Sequence, residues 1–357
     1  MFLRCTPSVF VIGDEYEILL WTKTNGVVFV RIGGKAFYEK NSGVLSSEKS
    51  IARIRVPQSV LDETKIYEIV FRETIQRKAY YSELSPEKTL SFAFKPLEKT
   101  EDIHVYHIAD VHYHFETAIA TASYFSDDTD LFVVNGDIGE VETEENYFEV
   151  AKFVGDIAQG RVPVLFVRGN HDTRGKLAER YIDIFPNNYG DTFFTFSLGC
   201  LKGVALDCGE DKRDYHLEYG GVNVFEVFRQ RESAFLKSIS WEEDGKIPFA
   251  VSHICPVFTT YEKGGVFDIE RERYAEWNQE LERLGIRFML NGHMHRAHIL
   301  DGTSKLNTLP HQYPVIIGSA CLSDTLWGTA LILNKDKMEV LFTDKDRKAQ
   351  EKYQIVF

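Results

Sequence analysis

The chain has 357 residues, with 54 acidic and 41 basic side chains and a formal net charge of −13. A field of that sign repels a phosphate backbone, so broad nucleic-acid binding is not expected. Hydrophobic residues make up 44% of the chain, which suffices for a buried core, and the length favours two domains over one.

Targeting and membrane signals are not apparent in the sequence. No segment approaches about 18 consecutive apolar residues, so a membrane span is not expected. No apolar run of signal-peptide length opens the chain, and the five cysteines are widely spaced without a CxxC pair. These features predict a cytoplasmic protein with reduced thiols, or an extracytoplasmic one if a signal has been removed.

Residues 1–98 consist of short strand-like runs separated by turn residues. Asn25 and Gly26 predict a hairpin between the runs 15–23 and 26–33, because this dipeptide favours a tight turn. In the run 50–56, apolar residues alternate with Arg53 and Arg55, which predicts a strand with one buried face. About seven such strands predict a small all-β sandwich of the immunoglobulin or fibronectin III type.

After residue 98 the pattern changes to apolar strands that alternate with helical segments, up to residue 357. The segments 145–160 and 274–285 have helical spacing, and each ends at a glycine that stops the helix. Buried strands that alternate with helices predict a layered α/β domain over residues 99–357. The fold class expected for the whole chain is therefore α/β, preceded by a small all-β sandwich domain.

Polar side chains follow the predicted strands of this second domain at the point where each strand ends. In open α/β sheets the reactive groups gather at these carboxyl ends. In Asp-x-His and His-x-His, residues two apart extend to the same side of an extended chain, so each pair grips a shared site. Oxygen and nitrogen ligands without thiolates suit divalent transition metals such as Mn, Fe, Co, Ni or Zn. The candidates are Asp110, His112, Asp137, Asn170, His171, Asp172, His253, His293 and His295.

The ordered set D-x-H, G-D, G-N-H-D, H and G-H-x-H resembles the calcineurin-like metallophosphoesterases. The resemblance implies a layered sandwich of two mixed sheets flanked by helices, with two divalent transition-metal ions. A hydroxide bridging these ions would attack phosphorus, which makes the expected protein a metal-dependent phosphoric ester hydrolase. The implied ligands are Asp110, His112 and His295 for one metal, Asn170, His253 and His293 for the other, and Asp137 for both.

Two residues of the G-N-H-D motif carry implied catalytic roles. His171 corresponds to the histidine that lies near the scissile bond without binding metal, and Asp172 is expected to orient it. Purple acid phosphatases carry an iron-binding tyrosine three residues after the bridging aspartate, where this chain has Glu140. A purple enzyme is therefore not expected. Asp172 also replaces the glutamate of the protein-phosphatase branch, which favours a phosphodiesterase over a phosphomonoesterase.

Three further residues are candidates for binding a small phosphorylated substrate. Arg168 and Arg174 flank the G-N-H-D motif, and guanidinium groups suit bidentate contact with phosphate. Ion pairs with nearby carboxylates are the alternative for both arginines. His114, two residues after His112, lines the cleft or packs in the core.

Two alternatives to the hydrolase remain open from the sequence. A non-catalytic scaffold would keep the fold and lose metal ligands. Alternatively, the N-terminal sandwich would be the functional module and contact a protein or a glycan through exposed aromatic residues. Trp21 and the pair Tyr80 and Tyr81 are the candidates for such a surface.

Overall fold

The computed structural model describes residues 1–257, 264–318, 320–322 and 325–357. Over these residues the chain forms 21 strands and six α-helices. The strands are β1 (Ser8–Ile12), β2 (Glu15–Trp21), β3 (Gly26–Ile32), β4 (Lys35–Phe37), β5 (Ile51–Pro57), β6 (Ile66–Arg77), β7 (Ser82–Leu84), β8 (Lys88–Ala93), β9 (Ile103–Ile108), β10 (Leu131–Asn135), β11 (Val164–Val167), β12 (Phe194–Leu198), β13 (Leu201–Leu206), β14 (Ile247–Ser252), β15 (Phe288–Asn291), β16 (His298–Leu300), β17 (Val315–Ile317), β18 (Ala320–Leu322), β19 (Thr325–Leu333), β20 (Lys337–Thr343) and β21 (Ala349–Val356). The helices are α1 (Gln58–Thr64), α2 (Phe115–Ala122), α3 (Glu144–Ala158), α4 (Tyr181–Ile184), α5 (Phe225–Ser238) and α6 (Arg271–Arg283).

Two sheets form the layered core of the second half of the chain. The larger has the strand order β21-β20-β19-β9-β10-β11-β1-β2-β5, with β18 paired to β19, and the smaller has the order β12-β13-β14-β15-β17-β16. Strands β9, β10 and β11 are parallel, as are β13, β14 and β15. The carboxyl ends of each parallel set therefore meet at one edge of its sheet. The α/β sandwich predicted from the sequence is confirmed.

The two sheets pack face to face through aliphatic and aromatic side chains. Val105, Val133 and Leu165 of the larger sheet belong to the same buried cluster as Phe249 and Phe288 of the smaller one. The rings of Phe249 and Phe288 are stacked with centroids 5.0 Å apart. Burying one such ring stabilises the fold by roughly 1.5–3 kcal/mol, so this core holds the carboxyl-terminal edges of the two parallel strand sets at a fixed spacing.

Helices α2 and α3 cover the opposite face of the larger sheet and bury a second apolar cluster against it. Helix α3 begins at Thr143, whose side chain accepts a hydrogen bond from the backbone of Asn146 in a reciprocal capping box. It ends at Gln159, in the left-handed conformation, followed by Gly160. The helices predicted over 145–160 and 274–285 are confirmed as α3 and α6, with shifts of a few residues at their ends. Within the described residues, no helix is long and apolar enough to cross a bilayer.

The strand-rich character of the N-terminal region is confirmed, but its strands belong to two sheets. Strands β3, β4, β6, β7 and β8 form a separate five-stranded sheet, whereas β1, β2 and β5 extend the larger sheet of the second half of the chain. Strand β1 pairs in parallel with β11. The two halves therefore share one continuous sheet, which the sequence did not indicate. A domain boundary near residue 98, just before β9, remains a proposal.

The hairpin predicted at Asn25 and Gly26 is wrong. Strand β2 pairs with β1 and β5, and strand β3 pairs with β4 and β6, so the chain passes from one sheet to the other at this point. Gly26 is needed for close approach, since an added Cβ would lie 2.4 Å from the carbonyl oxygen of Arg72. The tight turn lies instead at Gly33 and Gly34, both at positive φ, between β3 and β4.

A buried ion cluster joins the N-terminal strands to the second half of the chain. The carboxylate of Glu17, 3% exposed, accepts hydrogen bonds from the guanidinium groups of Arg53 (Nε–Oε1 2.9 Å) and Arg55 (Nε–Oε2 3.0 Å). Both arginines also donate to backbone carbonyls of the segment 182–187. The predicted alternation in the run 50–56 is therefore confirmed, and its polar face holds the two halves together.

Glu17→Gln should destabilise the protein by about 3–5 kcal/mol, because it leaves the largely buried guanidinium of Arg53 without a counter-charge and that of Arg55 with only Glu15, at 3.5 Å. Urea unfolding measures the loss. Glu68→Gln is the matched control, since Glu68 pairs with Arg31 at the surface and its loss should cost about 0–1 kcal/mol. Equal costs for the two variants would contradict a structural role for the Glu17 cluster.

Candidate metal centre

The candidate ligands lie on loops at the carboxyl ends of five strands, three from the larger sheet and two from the smaller. Asp110 and His112 follow β9, Asp137 follows β10 and Asn170 follows β11. On the other side of the sandwich, His253 follows β14, while His293 and His295 follow β15. The structure therefore brings all seven predicted ligands to one place between the two sheets.

The backbone of this place is strained. Five of the seven residues adopt positive φ angles although none is a glycine: Asp110 (53°), His112 (42°), Asp137 (53°), His293 (70°) and His295 (49°). Such conformations are rare for residues with a Cβ and cost on the order of 1–3 kcal/mol each. They persist only where surrounding contacts hold them, and they concentrate at functional sites. The clustering therefore indicates a functional site, at which the required side-chain directions are kept despite the cost of a strained backbone.

The donor atoms form two groups that share one carboxylate. Each group has donor atoms within 4.8 Å of one another. The Nε2 atoms of His112 and His295 lie 3.2 Å apart, and His295 Nε2 lies 3.3 Å from Asp110 Oδ1. In the second group, His253 Nε2 lies 3.1 Å from Asp137 Oδ2. The two groups are Asp110, His112, Asp137 and His295, and Asp137, His253 and His293.

Asn170 completes the second group through its amide oxygen. Oδ1 of Asn170 lies 3.0 Å from Nδ1 of His293, and the side chain of Asn170 is buried. Nε2 of His253 is buried and makes no hydrogen bond within the described residues. A buried imidazole nitrogen without a hydrogen bond, beside two carboxylates, is the arrangement that a bound cation would satisfy. The residues present therefore fit divalent metal ions.

The electrostatics of the site favour cations. Burial alone would lower the pKa of His253, but the charges of Asp137 and Asp110 outweigh it and raise that pKa to about 10. Burial alone would also raise the pKa of Asp137, yet His253 and the neighbouring histidines hold it well below its usual range. The two buried carboxylates thus create a negative potential between the sheets. This potential attracts cations, and in the absence of metal it would repel a phosphate group.

The ligand loops are held by backbone contacts that only small residues permit. Nδ1 of His253 donates to the carbonyl oxygen of Asn135 (2.6 Å), which leaves Nε2 directed at the carboxylates. An added Cβ on Gly136 would lie 2.5 Å from the backbone of Gly169, and one on Gly169 would lie 2.3 Å from Asp137. The glycines of the G-D and G-N-H-D motifs therefore let the two loops touch.

Asp172 does not orient His171, and this expectation from the sequence is corrected. Its buried carboxylate accepts hydrogen bonds from four backbone N–H groups, those of residues 137, 138, 139 and 169, at 2.8–3.4 Å. Burial, followed by the charge of Asp137, raises the pKa of Asp172 to about 6. The carboxylate therefore ties the loop that carries Asp137 to the loop that carries Asn170.

Glu140 takes the place expected for Asp172. Its Oε1 lies 2.7 Å from Nδ1 of His171, and NH1 of Arg174 lies 3.1 Å from Nε2 of the same ring. The backbone N–H of His171 donates to Oδ1 of Asp137 at 2.8 Å. His171 therefore lies beside the shared carboxylate, with its ring held from both sides. The sequence offered one signal for Glu140, its position three residues after Asp137.

The three predicted substrate-binding residues have different outcomes. Arg168 is mostly buried, donates to the buried carboxylate of Asp207 (2.7 Å), and packs near the ring of Tyr181. The ion-pair alternative is thus correct for Arg168. Arg174 donates from Nε and NH2 to Glu210 (2.8 Å each) but also reaches His171, so it borders the site. His114 immediately precedes α2, and the described hydrogen bonds and ion pairs do not join its side chain to the ligands.

Asp172→Asn should lower the free energy of unfolding of the metal-free protein by about 1.5–3 kcal/mol. The new amide group would face backbone N–H donors that the carboxylate now satisfies. Asp183→Asn, at an exposed position in α4, is the control and should change it by less than about 0.5 kcal/mol. Urea titration in the presence of a chelator is the measurement. An Asp172→Asn protein as stable as the control variant would contradict the bridging role.

The solved structures that share this fold include two that align with almost the whole chain. A purple acid phosphatase from yellow lupin (Lupinus luteus) seeds aligns with 98% of this chain and 74% of its own, at 10% identity and a TM-score of 0.63. The structure of PhoD aligns with 98% of this chain and 88% of its own, at 11% identity and a TM-score of 0.58. At these identities the likeness concerns the fold alone. No curated protein matches the chain in sequence.

The sequence model of the calcineurin-like phosphoesterases matches residues 103–297. This range is more than half of the chain, and it contains the strands β9 to β15 with every candidate ligand that follows them. Sequence motifs, fold and convergent donor atoms agree. The chain therefore belongs to the calcineurin-like phosphoesterase family.

Proposed function

We propose that this metal-dependent phosphoesterase hydrolyses phosphodiesters at a dinuclear centre. The observation that carries the proposal is the sharing of Asp137 by two groups of donor atoms. The proposed ligands are Asp110, His112 and His295 for one ion, Asn170, His253 and His293 for the other, and Asp137 for both. Their oxygen and nitrogen donors suit Mn, Fe, Zn, Co or Ni and do not distinguish among them.

When bound, such ions would supply Lewis acidity towards the phosphoryl oxygens and a nucleophilic hydroxide at neutral pH. The chain's own residues supply the geometry. Oδ2 of Asp137 faces His253, while Oδ1 is held by the backbone N–H of His171, so the carboxylate cannot rotate freely. The same hydrogen bond fixes the backbone of His171 beside the Asp137 carboxylate, which supports a role for its ring close to the phosphoryl group. Orientation of this kind is a large part of catalysis in phosphoryl transfer.

His171 is the proposed proton donor or charge stabiliser for the ester oxygens. Its Nδ1 faces Glu140, and its Nε2 lies 3.9 Å from Oδ2 of Asp137 at the open side of the centre. A carboxylate partner on Nδ1 fixes the ring orientation, and Nε2 would then face a phosphoryl or leaving oxygen. The guanidinium of Arg174 lies 3.1 Å from the same Nε2, so it borders the position at which this nitrogen would meet the substrate.

The diester preference is supported by the charge balance around His171. Arg168 is paired with Asp207, and Arg174 is paired with Glu210, so neither arginine contributes an uncompensated positive charge. A phosphomonoester brings two negative charges and needs additional fixed cations, whereas a diester brings one. The centre therefore suits a diester better. A phosphomonoesterase of the same family is the alternative.

A contact surface on the N-terminal region is a second candidate function. Tyr80 and Tyr81, at the turn between β6 and β7, are 97% and 57% exposed, and Ile75, near the end of β6, is 64% exposed. Exposed aromatic side chains at a hairpin tip favour contact with a protein or a glycan. Trp21, the other candidate from the sequence, is buried and does not contribute.

His171→Ala should retain metal but lose about 10²-fold or more in kcat, the scale of a positioned acid. Glu140→Gln should lower kcat in the same direction by less, since the ring keeps its contact with Arg174. His253→Ala is the contrasting variant and should lose metal. Elemental analysis and turnover of an aryl phosphate ester are measured on the same preparations. Loss of metal from His171→Ala would make His171 a ligand instead.

The diester preference predicts that, with Mn²⁺, bis-p-nitrophenyl phosphate is hydrolysed at least as efficiently as p-nitrophenyl phosphate. The comparison of the two kcat/KM values tests the preference, because both esters release the same chromophore. A kcat/KM about tenfold or more in favour of the monoester would refute the diester proposal. It would leave the phosphoesterase assignment in place.

A further inference from the structure

The guanidinium of Arg174 is held by a buried carboxylate that is not among the candidate metal ligands. Nε and NH2 of Arg174 donate to Oε1 and Oε2 of Glu210, each at 2.8 Å, and this two-point contact fixes the plane of the guanidinium. Glu210 is 1% exposed, and its carboxylate also accepts from the hydroxyls of Tyr219 (3.2 Å) and Thr173 (3.3 Å). Four donor groups therefore hold this carboxylate in one orientation.

The backbone that carries Glu210 is itself held by helix α5. Arg229 of this helix is buried, and its Nε donates to the carbonyl oxygen of Cys208 (2.7 Å) while its NH2 donates to that of Glu210 (2.5 Å). Gly209, between them, has a φ of 62°, and an added Cβ would lie 2.2 Å from the ring of Phe225. The packing of α5 against the end of β13 therefore determines where the Glu210 side chain lies.

The remaining edge of the Arg174 guanidinium faces the candidate metal centre. NH1 takes no part in the contact with Glu210 and lies 3.1 Å from Nε2 of His171. The same Nε2 lies 3.9 Å from Oδ2 of Asp137, so NH1 borders the shared carboxylate on the side of His171. The side chain of Arg174 is 28% exposed, whereas that of Glu210 is 1% exposed. A substrate can therefore reach the donor of this pair but not its counter-charge.

A second arginine–carboxylate pair on the same two loops has a different environment. Nε of Arg168 donates to Oδ2 of Asp207 at 2.7 Å, and the side chain of Arg168 is only 11% exposed. Its guanidinium carbon lies 5.4–5.8 Å from the centroids of three aromatic rings, those of Tyr181, Phe225 and Phe228. This pair is enclosed by aromatic side chains and provides a comparison for the pair that borders His171.

We propose that Glu210 is a specificity-determining residue, which selects singly charged esters through the orientation and the charge of Arg174. This inference rests on the proposed function. Oriented by Glu210, NH1 of Arg174 donates to a phosphoryl oxygen of the ester beside His171. The negative charge of Glu210 cancels that of the guanidinium, so the pair offers a directional donor without attracting a second negative charge on the substrate. A diester uses this donor in full, whereas a monoester gains no additional cation.

The test changes the charge of the pair and measures the selectivity of the full-length, Mn²⁺-loaded protein. The readout is the ratio of kcat/KM for p-nitrophenyl phosphate to that for bis-p-nitrophenyl phosphate. Glu210→Gln should raise this ratio about five- to tenfold, because the guanidinium becomes an uncompensated cation. Arg174→Gln should lower the ratio, because the carboxylate is left alone. The double variant Arg174→Gln/Glu210→Gln should return it close to the wild-type value, with a lower kcat for both esters.

Asp207→Asn is the matched control, because it removes the carboxylate from the enclosed pair and should change the ratio by less than about twofold. A merely structural role for Glu210 would lower kcat/KM for both esters by the same factor and leave the ratio unchanged, and this result would overturn the proposal. A rise in Asp207→Asn equal to that in Glu210→Gln would also overturn it, because the effect would then come from net charge and not from the placement of Arg174.

Binding separates this inference from the function on which it rests. Methylphosphonate, at a pH where it is mainly doubly charged, and the singly charged dimethyl phosphate are titrated by calorimetry into the same preparations. Glu210→Gln should favour methylphosphonate over dimethyl phosphate relative to wild type. This shift without hydrolysis of either ester would contradict the hydrolase and support the role of Glu210. Hydrolysis of both esters without a shift in binding or in the kcat/KM ratio would support the hydrolase and overturn that role.

Discussion

The carboxylate of Asp137 is the interaction on which the rest of the site depends. Its Oδ2 lies 3.1–3.9 Å from the Nε2 atoms of His112, His171 and His253, and its Oδ1 is held by the backbone of His171. These partners come from both sheets of the sandwich. The side chain of Asp137 therefore determines the distance between the two groups of candidate ligands. The position of this side chain is in turn determined by the face-to-face packing of the two sheets.

The fold holds this carboxylate in a conformation that the backbone alone would avoid. Asp137 has a φ of 53°. Its backbone N–H donates to the carboxylate of Asp172, and its loop packs against Gly169, and these two contacts hold the conformation. Each strained residue costs stability, which the buried cores on both faces of the larger sheet offset. The extension of that sheet into the N-terminal region adds to its support, because β1 pairs directly with β11, the strand that leads to Asn170.

The parts of the structure that could be predicted from the sequence are those encoded within a few residues. The candidate ligands could be proposed because each follows a strand end and forms a short pattern, and α3 could be predicted because its apolar spacing is local. The partners of His171 and Arg174 were not found, because Glu140 and Glu210 are set by the folded loops rather than by spacing. The hairpin at Asn25 failed for a similar reason, since sheet membership depends on distant strands.

The dinuclear centre is tested most directly by a crystal structure of the protein with Mn²⁺, with anomalous data collected at the manganese edge. The account predicts two peaks about 3.5–4 Å apart. The carboxylate of Asp137 should lie between them, with Asn170, His253 and His293 around one peak and Asp110, His112 and His295 around the other. A single peak under saturating Mn²⁺, or two peaks that do not share Asp137, would contradict it.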